Sequence, residues 1–276
     1  MRPREGGGRP RPCGSLVGAA LAAALTTPLA LSCAAARPAA ERGFLLRELQ
    51  VGERTYLYAL YVPRAYSADR AWPLVVFLHG RGESGTDGSR QLAQGLPSAV
   101  QWDAARWPTL VLAPQKPDED SEWEQHEAAV MAILELVRQE YRVDSERIAL
   151  TGISQGGHGT WVLGARHPEL WSALVPVCGY AGARHGAAGP GLAPPFEGGP
   201  EELAAPLAGV PVWAFHGEDD DIVPAAETRA MAAAITAAGG TVEATVYPGV
   251  NHGSWDRAYR EERLPAFLLA PRRGRR

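Results

Sequence analysis

The chain has little cysteine and no dense block of positive charge, and each shortage removes a class of function. Three cysteines occur in 276 residues. Cys13 and Cys33 fall in an alanine-rich N-terminal stretch, which leaves Cys178 without a partner for an intramolecular disulfide. Cys178 follows the apolar run Ala173-Leu174-Val175-Pro176-Val177, the setting of a buried, inert thiol. The net charge is −4 and no basic stripe is present, which speaks against a nucleic-acid binder. The seven histidines are scattered, with no H-E-x-x-H, C-x-x-C or G-x-x-x-x-G-K-[ST] spacing. No metal or other cofactor is therefore expected.

The one long uncharged apolar stretch, residues 14–36, contains Pro28 and many alanines, so it makes a poor permanent membrane span. It follows the basic stretch 1–13, and together they read as an export signal. No adjacent Arg-Arg pair precedes it, so the twin-arginine route gains no support. Leu29-Ala30-Leu31-Ser32-Cys33 resembles the lipobox of bacterial lipoproteins, with Ala30 where a larger aliphatic is usual. Two outcomes stay open: a lipid on Cys33, or cleavage after the alanines. Either way the expectation is a secreted, periplasmic or cell-surface protein, touching membrane only through that lipid. Residues 1–40 are assigned to signal and linker, 41–268 to the working domain, and 269–276 to a basic disordered tail. A monomer or small homo-oligomer is expected.

The remainder is compositionally globular, with 46% hydrophobic and 21% charged residues. Residues 44–63 alternate around Gly52 and read as two antiparallel strands. The continuous apolar runs Pro-Leu-Val-Val-Phe-Leu-His-Gly, Thr-Leu-Val-Leu-Ala-Pro-Gln, Arg-Ile-Ala-Leu-Thr-Gly, Ala-Leu-Val-Pro-Val-Cys-Gly and Pro-Val-Trp-Ala-Phe-His-Gly suit strands buried on both faces. Between them, Ala129, Val130, Ile133, Leu134, Val137 and Tyr141 keep the spacing of one helix face. A second helix, residues 224–240, opens on proline and stops at glycines. The alternation predicts an α/β fold: a mostly parallel central sheet with helices on both faces, antiparallel N-terminal strands and no large cap domain. Residues 179–211, rich in glycine, proline and alanine, read as an irregular loop beside a substrate mouth, with a helical turn only at 201–207.

Gly152-Ile153-Ser154-Gln155-Gly156 fits G-x-S-x-G, a weak signal alone. Its place between a strand and a helix is the setting a nucleophile elbow needs, where glycines two before and two after the serine relieve a strained turn. Such a serine needs a base and an orienting acid, in the order acid then histidine. His252, in a Gly/Asn loop after the last strand, is the candidate base; His167 lies in a helix and His185 in the irregular loop. Asp219, Asp220 and Asp221 compete for the acid, with a solvated helix-capping turn as the plainer reading. Backbone N–H groups of Gln155 and of Arg81, in the turn Phe77-Leu78-His79-Gly80-Arg81, are the candidate oxyanion hole. His158, four residues past the serine, reads as a helix-surface histidine.

These motifs, in register over most of residues 45–265, resemble the α/β-hydrolases. The likeness is to the secreted esterase branch grouped with phospholipase/carboxylesterases, dienelactone hydrolases and polyhydroxybutyrate-depolymerase-like enzymes, some labelled predicted peptidases. The family's acid motif H-G-x-x-D-x-x-V-P, laid on His216-Gly217 and Val223-Pro224, selects Asp220. The resemblance implies Ser154, Asp220 and His252 as nucleophile, orienter and base, and places Trp123 and Tyr180 near the substrate. It implies a small-molecule or polymer-linked ester as substrate and no cofactor. A peptidase or amidase with the same triad would want a carboxylate pair for a free amine. Glu83 with Glu122 or Glu124 is the candidate for that pair, against a reading of all three as solvated surface glutamates. A non-catalytic binding lipoprotein is the remaining alternative.

Overall fold

A computed structural model describes residues 41–186 and 191–270. The expected export segment with Cys33, residues 187–190 of the Gly/Pro-rich stretch, and residues 271–276 of the expected tail lie outside the described residues.

Eight strands form one sheet: β1 (Gly43–Val51), β2 (Arg54–Val62), β3 (Trp72–Leu78), β4 (Leu110–Pro114), β5 (Val143–Ile153), β6 (Leu174–Val177), β7 (Val212–Gly217) and β8 (Val242–Tyr247). Their order is β1-β2-β4-β3-β5-β6-β7-β8. β1 pairs antiparallel with β2, and β2 with β4; every pairing from β4 through β3 to β8 is parallel. The helices are α1 (Gly95–Trp102), α2 (Glu127–Glu140), α3 (Gln155–Arg166), α4 (Pro200–Leu207), α5 (Ala226–Ala237), α6 (Trp255–Ala258) and α7 (Leu264–Leu269). Among the described residues no helix is long and apolar enough to cross a membrane.

The unbroken apolar runs are explained by burial from two sides. Every residue of β3, β4, β6 and β7 is buried. Alternate residues Val75, Phe77, Val111, Ala113, Val175, Val177 and Phe215 form one core with Leu96 and Val100 of α1, Ala258 of α6, and Leu264 and Leu268 of α7. On the opposite face α3 packs over β3, β5 and β6. Each such side chain contributes about 2 kcal/mol by leaving water, which outweighs the weak β propensity of the alanines. The edge strand β8 is only half-buried, unlike the inner strands.

Within 179–211 the helical turn expected at 201–207 is the eight-residue helix α4, because Pro200 presets its first turn and Glu201 and Glu202 complement its N-terminal dipole. One expectation needs correcting. The expected tail at 269 begins inside α7, whose residue Leu269 packs on the core.

The parallel arrangement sends the carboxyl ends of β3, β5, β6, β7 and β8 to one edge of the sheet. His79, Ser154, Cys178, Glu218 to Asp220 and the loop bearing His252 follow those ends. That is the edge where open α/β sheets assemble their sites.

Candidate active site

Ser154 joins β5 directly to α3 with φ 53° and ψ −115°, a conformation that costs a non-glycine residue of order 1–3 kcal/mol. The turn survives because two neighbours lack side chains. A Cβ on Gly152 would lie 2.2 Å from the Gly156 carbonyl oxygen, and one on Gly156 would lie 1.9 Å from that of Leu78. Ser154 N–H donates to Val177 O at 2.8 Å, which ties the strained residue to β6.

The structure brings Ser154, His252 and Asp220 together. His252 Nε2 is 2.8 Å from Ser154 Oγ, and His252 Nδ1 is 2.7 Å from Asp220 Oδ2. Asp219 and Asp221 are exposed, while the Asp220 carboxylate is buried. Its Oδ1 accepts the N–H groups of Ile222 and Val223 at 2.9 and 2.8 Å. Burial alone would raise its pKa, but hydrogen bonds from His216, His252 and Val223 override it and hold the carboxyl below the ordinary carboxylate range. His216 is fully buried: Nε2–H faces Val223 O at 2.8 Å and Asp220 Oδ2 at 3.2 Å, and Nδ1 faces the Thr228 hydroxyl. Trp255 stands edge-on to the His252 ring at 5.6 Å. Cys178 is buried with its thiol pushed up by burial, as expected of an inert group.

The turn after β3 is held from behind. His79 is fully buried, with Nδ1 2.6 Å from Gly80 O and Nε2 3.1 Å from the Lys116 N–H. A carbonyl can only accept and an N–H only donate, so the ring carries its proton on Nδ1 and is neutral. Burial lowers its pKa to about 3, consistent with that state. A trans peptide sets C=O and the next N–H antiparallel, so anchoring Gly80 O turns the Arg81 N–H away from His79, and Arg81 lines the cleft. Gln155 supplies the first N–H of α3, which has no intrahelical acceptor. The turn Gly80-Arg81-Gly82-Glu83-Ser84-Gly85 spells G-x-G-x-x-G, but it opens the short 3-10 turn Arg81–Glu83 and not the helix a dinucleotide pyrophosphate needs.

Trp123 does not line the cleft. It is 1% exposed, packs edge-on against His79 and donates Nε1–H to His79 O at 2.9 Å. Its expected contact with substrate is replaced by a support beneath the turn after β3. His158 is likewise not on a helix surface. It is fully buried, 3.3 Å from Glu124, with Nδ1 3.0 Å from Tyr180 O and its ring stacked on Tyr180. Glu122 and Glu124, expected in solvent, are both buried. Sequence reasoning missed them because a charged residue signals burial only through its partners, and these are His158, Tyr180, Arg184, His185 and Phe196.

A cleft of about 530 Å³ lies over Ser154 and His252, walled by Arg81, Glu83, Tyr180, Arg184, His185 and Trp255 among others. Among the described residues, two groups place possible metal donors within 4.8 Å of one another: Cys178, Asp220 and His252, and Glu122, Glu124 and His158. In the first, both His252 nitrogens are engaged by Ser154 and Asp220. In the second, Glu122 and one oxygen of Glu124 already accept hydrogen bonds.

A serine at a strained strand–helix turn, with an acid and a histidine delivered from later strands of the same sheet edge, defines an α/β-hydrolase. The chain belongs to the dienelactone hydrolase family, whose model matches residues 115–263. A candidate esterase of Nocardia uniformis subsp. tsuyamanensis, NocK, is 26% identical over 204 residues, which are 68% of this chain and 52% of that protein. A candidate carboxymethylenebutenolidase of Escherichia coli (strain K12) is 28% identical over 127 residues, 46% of this chain and 42% of its own. The chain thus spans about half the length of these curated relatives. The crystal structure of a thermostable esterase superposes with a TM-score of 0.67 at 31% identity, covering 83% of this chain and 63% of its own.

Proposed function

We propose that this protein is a serine hydrolase that cleaves carboxylic esters through an acyl-enzyme. The observation that carries the proposal is the unbroken chain Ser154 Oγ–His252–Asp220, at 2.8 and 2.7 Å, on the floor of the cleft. His252 Nε2 takes the Ser154 proton as Oγ attacks the ester carbonyl. The Arg81 and Gln155 N–H groups receive the developing oxyanion. His252 then returns the proton to the leaving alcohol and draws one from the water that releases the acid. Asp220 stays ionised throughout and stabilises the imidazolium. The esterase names of the relatives support the same reading.

A peptidase reading is weakened by the fate of its amine-binding pair. Glu122 and Glu124 lie under Tyr180 and accept protein hydrogen bonds, leaving Glu83 as the one glutamate of the three on the cleft wall.

Short-chain p-nitrophenyl esters test the proposal. Turnover and labelling of Ser154 by a serine-directed phosphonate are expected, and Ser154→Ala should abolish both. Full activity in Ser154→Ala, or a wild-type protein inert to every ester, would overturn it. Export through residues 1–40 belongs to the same proposal. The mass of the mature protein from a bacterial host should show a lipidated Cys33 or a start beyond the alanines, and an intact Met1 would refute export.

A further inference from the structure

The segment 118–126 contributes nothing to the triad, yet it contacts the turn after β3, the Gln155 side chain and the wall of the cleft. Trp123 supports the oxyanion turn through His79 O, and Gln155 Nε2 donates to Ser121 O at 2.9 Å. The remaining contacts go to residues 180–196. Glu122 Oε1 accepts the N–H groups of Arg184 and His185 at 3.1 and 2.9 Å, and both Glu122 oxygens face the Tyr180 hydroxyl at 2.9 and 3.1 Å. Glu124 Oε1 accepts the Phe196 N–H at 2.8 Å, and Gln125 Nε2 donates to Ala193 O at 2.7 Å. His158 completes the set between Glu124 and the Tyr180 carbonyl.

Those contacts hold a wall of the cleft. Tyr180, Arg184 and His185 line it, and residues 181–186 and 191–199 contain no helix or strand of their own. An irregular segment satisfies few of its own N–H groups; Ala183 N–H finds Phe196 O at 2.8 Å, and two carboxylates 0% and 3% exposed satisfy three more. Burying a carboxylate costs several kcal/mol, so a pair whose only return was packing would be outcompeted by apolar side chains. Its specific return here is the position of Tyr180, Arg184 and His185 relative to Ser154.

We infer that Glu122 and Glu124 are positioning residues for substrate discrimination: by fastening residues 180–186 and 191–196 they fix the wall that decides which esters reach Ser154. This inference rests on the ester-hydrolase reading. Neither residue touches the reacting atoms, and each acts through the wall it holds. The change Glu122→Gln keeps the shape and replaces one acceptor with an N–H₂ group facing N–H and O–H donors. Glu124→Gln does the same at the far end.

The test compares wild type, Glu122→Gln and Glu124→Gln on p-nitrophenyl acetate and p-nitrophenyl octanoate, with hydrogen exchange of the same proteins. The octanoate-to-acetate ratio of kcat/KM should shift at least about fivefold, carried by KM, while kcat on acetate stays within about twofold. Amides of Arg184, His185 and Phe196 should lose protection. A role in stability alone would lower both esters together with Tm, and that result, or an unchanged ratio, overturns the inference. Should neither variant fold, Tyr180→Phe removes one donor to Glu122 and must move the ratio in the same way, or the inference falls. A wild type inert to every ester tried and unlabelled by the serine-directed phosphonate defeats the esterase reading separately. The exchange data then decide the wall: amides as protected in the variants as in wild type refute it, and freed amides support it.

Discussion

Asp220 carries three hydrogen-bonding duties at once: it orients His252, it accepts from His216, and it caps the turn at Ile222 and Val223. Asp220→Asn would place an amide N–H₂ toward His252 Nδ1 and stabilise the tautomer with its proton on Nε2, which cannot take the serine proton. We expect kcat to fall about 10³- to 10⁴-fold with KM nearly unchanged. Asp219→Asn and Asp221→Asn, both exposed, should stay within about twofold in the same steady-state assay. Residue chemistry alone left the three aspartates equivalent, because the one that turns inward is fixed by the course of the backbone. The histidines show the same limit. His79 and His216 each precede a glycine at a strand end, and that shared pattern was a readable sign of two buried supports. His158 had no such sign, since its partner Glu124 lies 34 residues away.

At the scale of elements, the strand–serine–helix turn was legible because its requirement is steric and local. Gly156→Ala should therefore be far worse than an ordinary glycine substitution, with the new Cβ 1.9 Å from Leu78 O. Activity should drop at least about 100-fold and the Tm should fall, measured together by ester turnover and thermal unfolding. The buried strands were equally readable, because a run apolar on both faces has few other homes. The support beneath the turn after β3 was not, for a buried tryptophan gives no local clue to what its N–H will bond. Trp123→Phe keeps the ring packing and removes the donor to His79 O. If the indole steadies the Arg81 N–H, kcat should fall about tenfold while KM holds within about twofold. If it instead contacted substrate, KM would rise.

Over the whole molecule, the net charge of −4 says little about acid behaviour, because the decisive groups are buried histidines. Burial lowers His79 to about 3 and His126 to about 4, from an ordinary value of 6.5. His126 faces the Tyr56 hydroxyl through Nδ1 and the Ser121 hydroxyl through Nε2, and His79 needs an unprotonated Nε2 for the Lys116 N–H. Between pH 6.5 and those values the unfolded chain binds more protons than the folded one, so stability is full above 6.5 and is lost as pH falls. His158 opposes this: burial is outweighed by Glu124, its pKa is raised, and its contribution is present below 6.5 and fades as pH rises. The depressed carboxyls Asp87, Asp120, Glu124, Glu127 and Asp220 lose their contributions as pH falls through the ordinary carboxylate range, which adds to the loss near pH 4.5, while Glu83, raised by burial, works against it. Urea unfolding should accordingly give a lower free energy at pH 4.5 than at pH 7, with roughly 2–3 kcal/mol of the loss due to His126. His126→Gln retains partners for both hydroxyls and cannot titrate, so its loss over the same interval should be smaller by about that amount. Equal losses in the variant and the wild type would show that His126 is not held neutral.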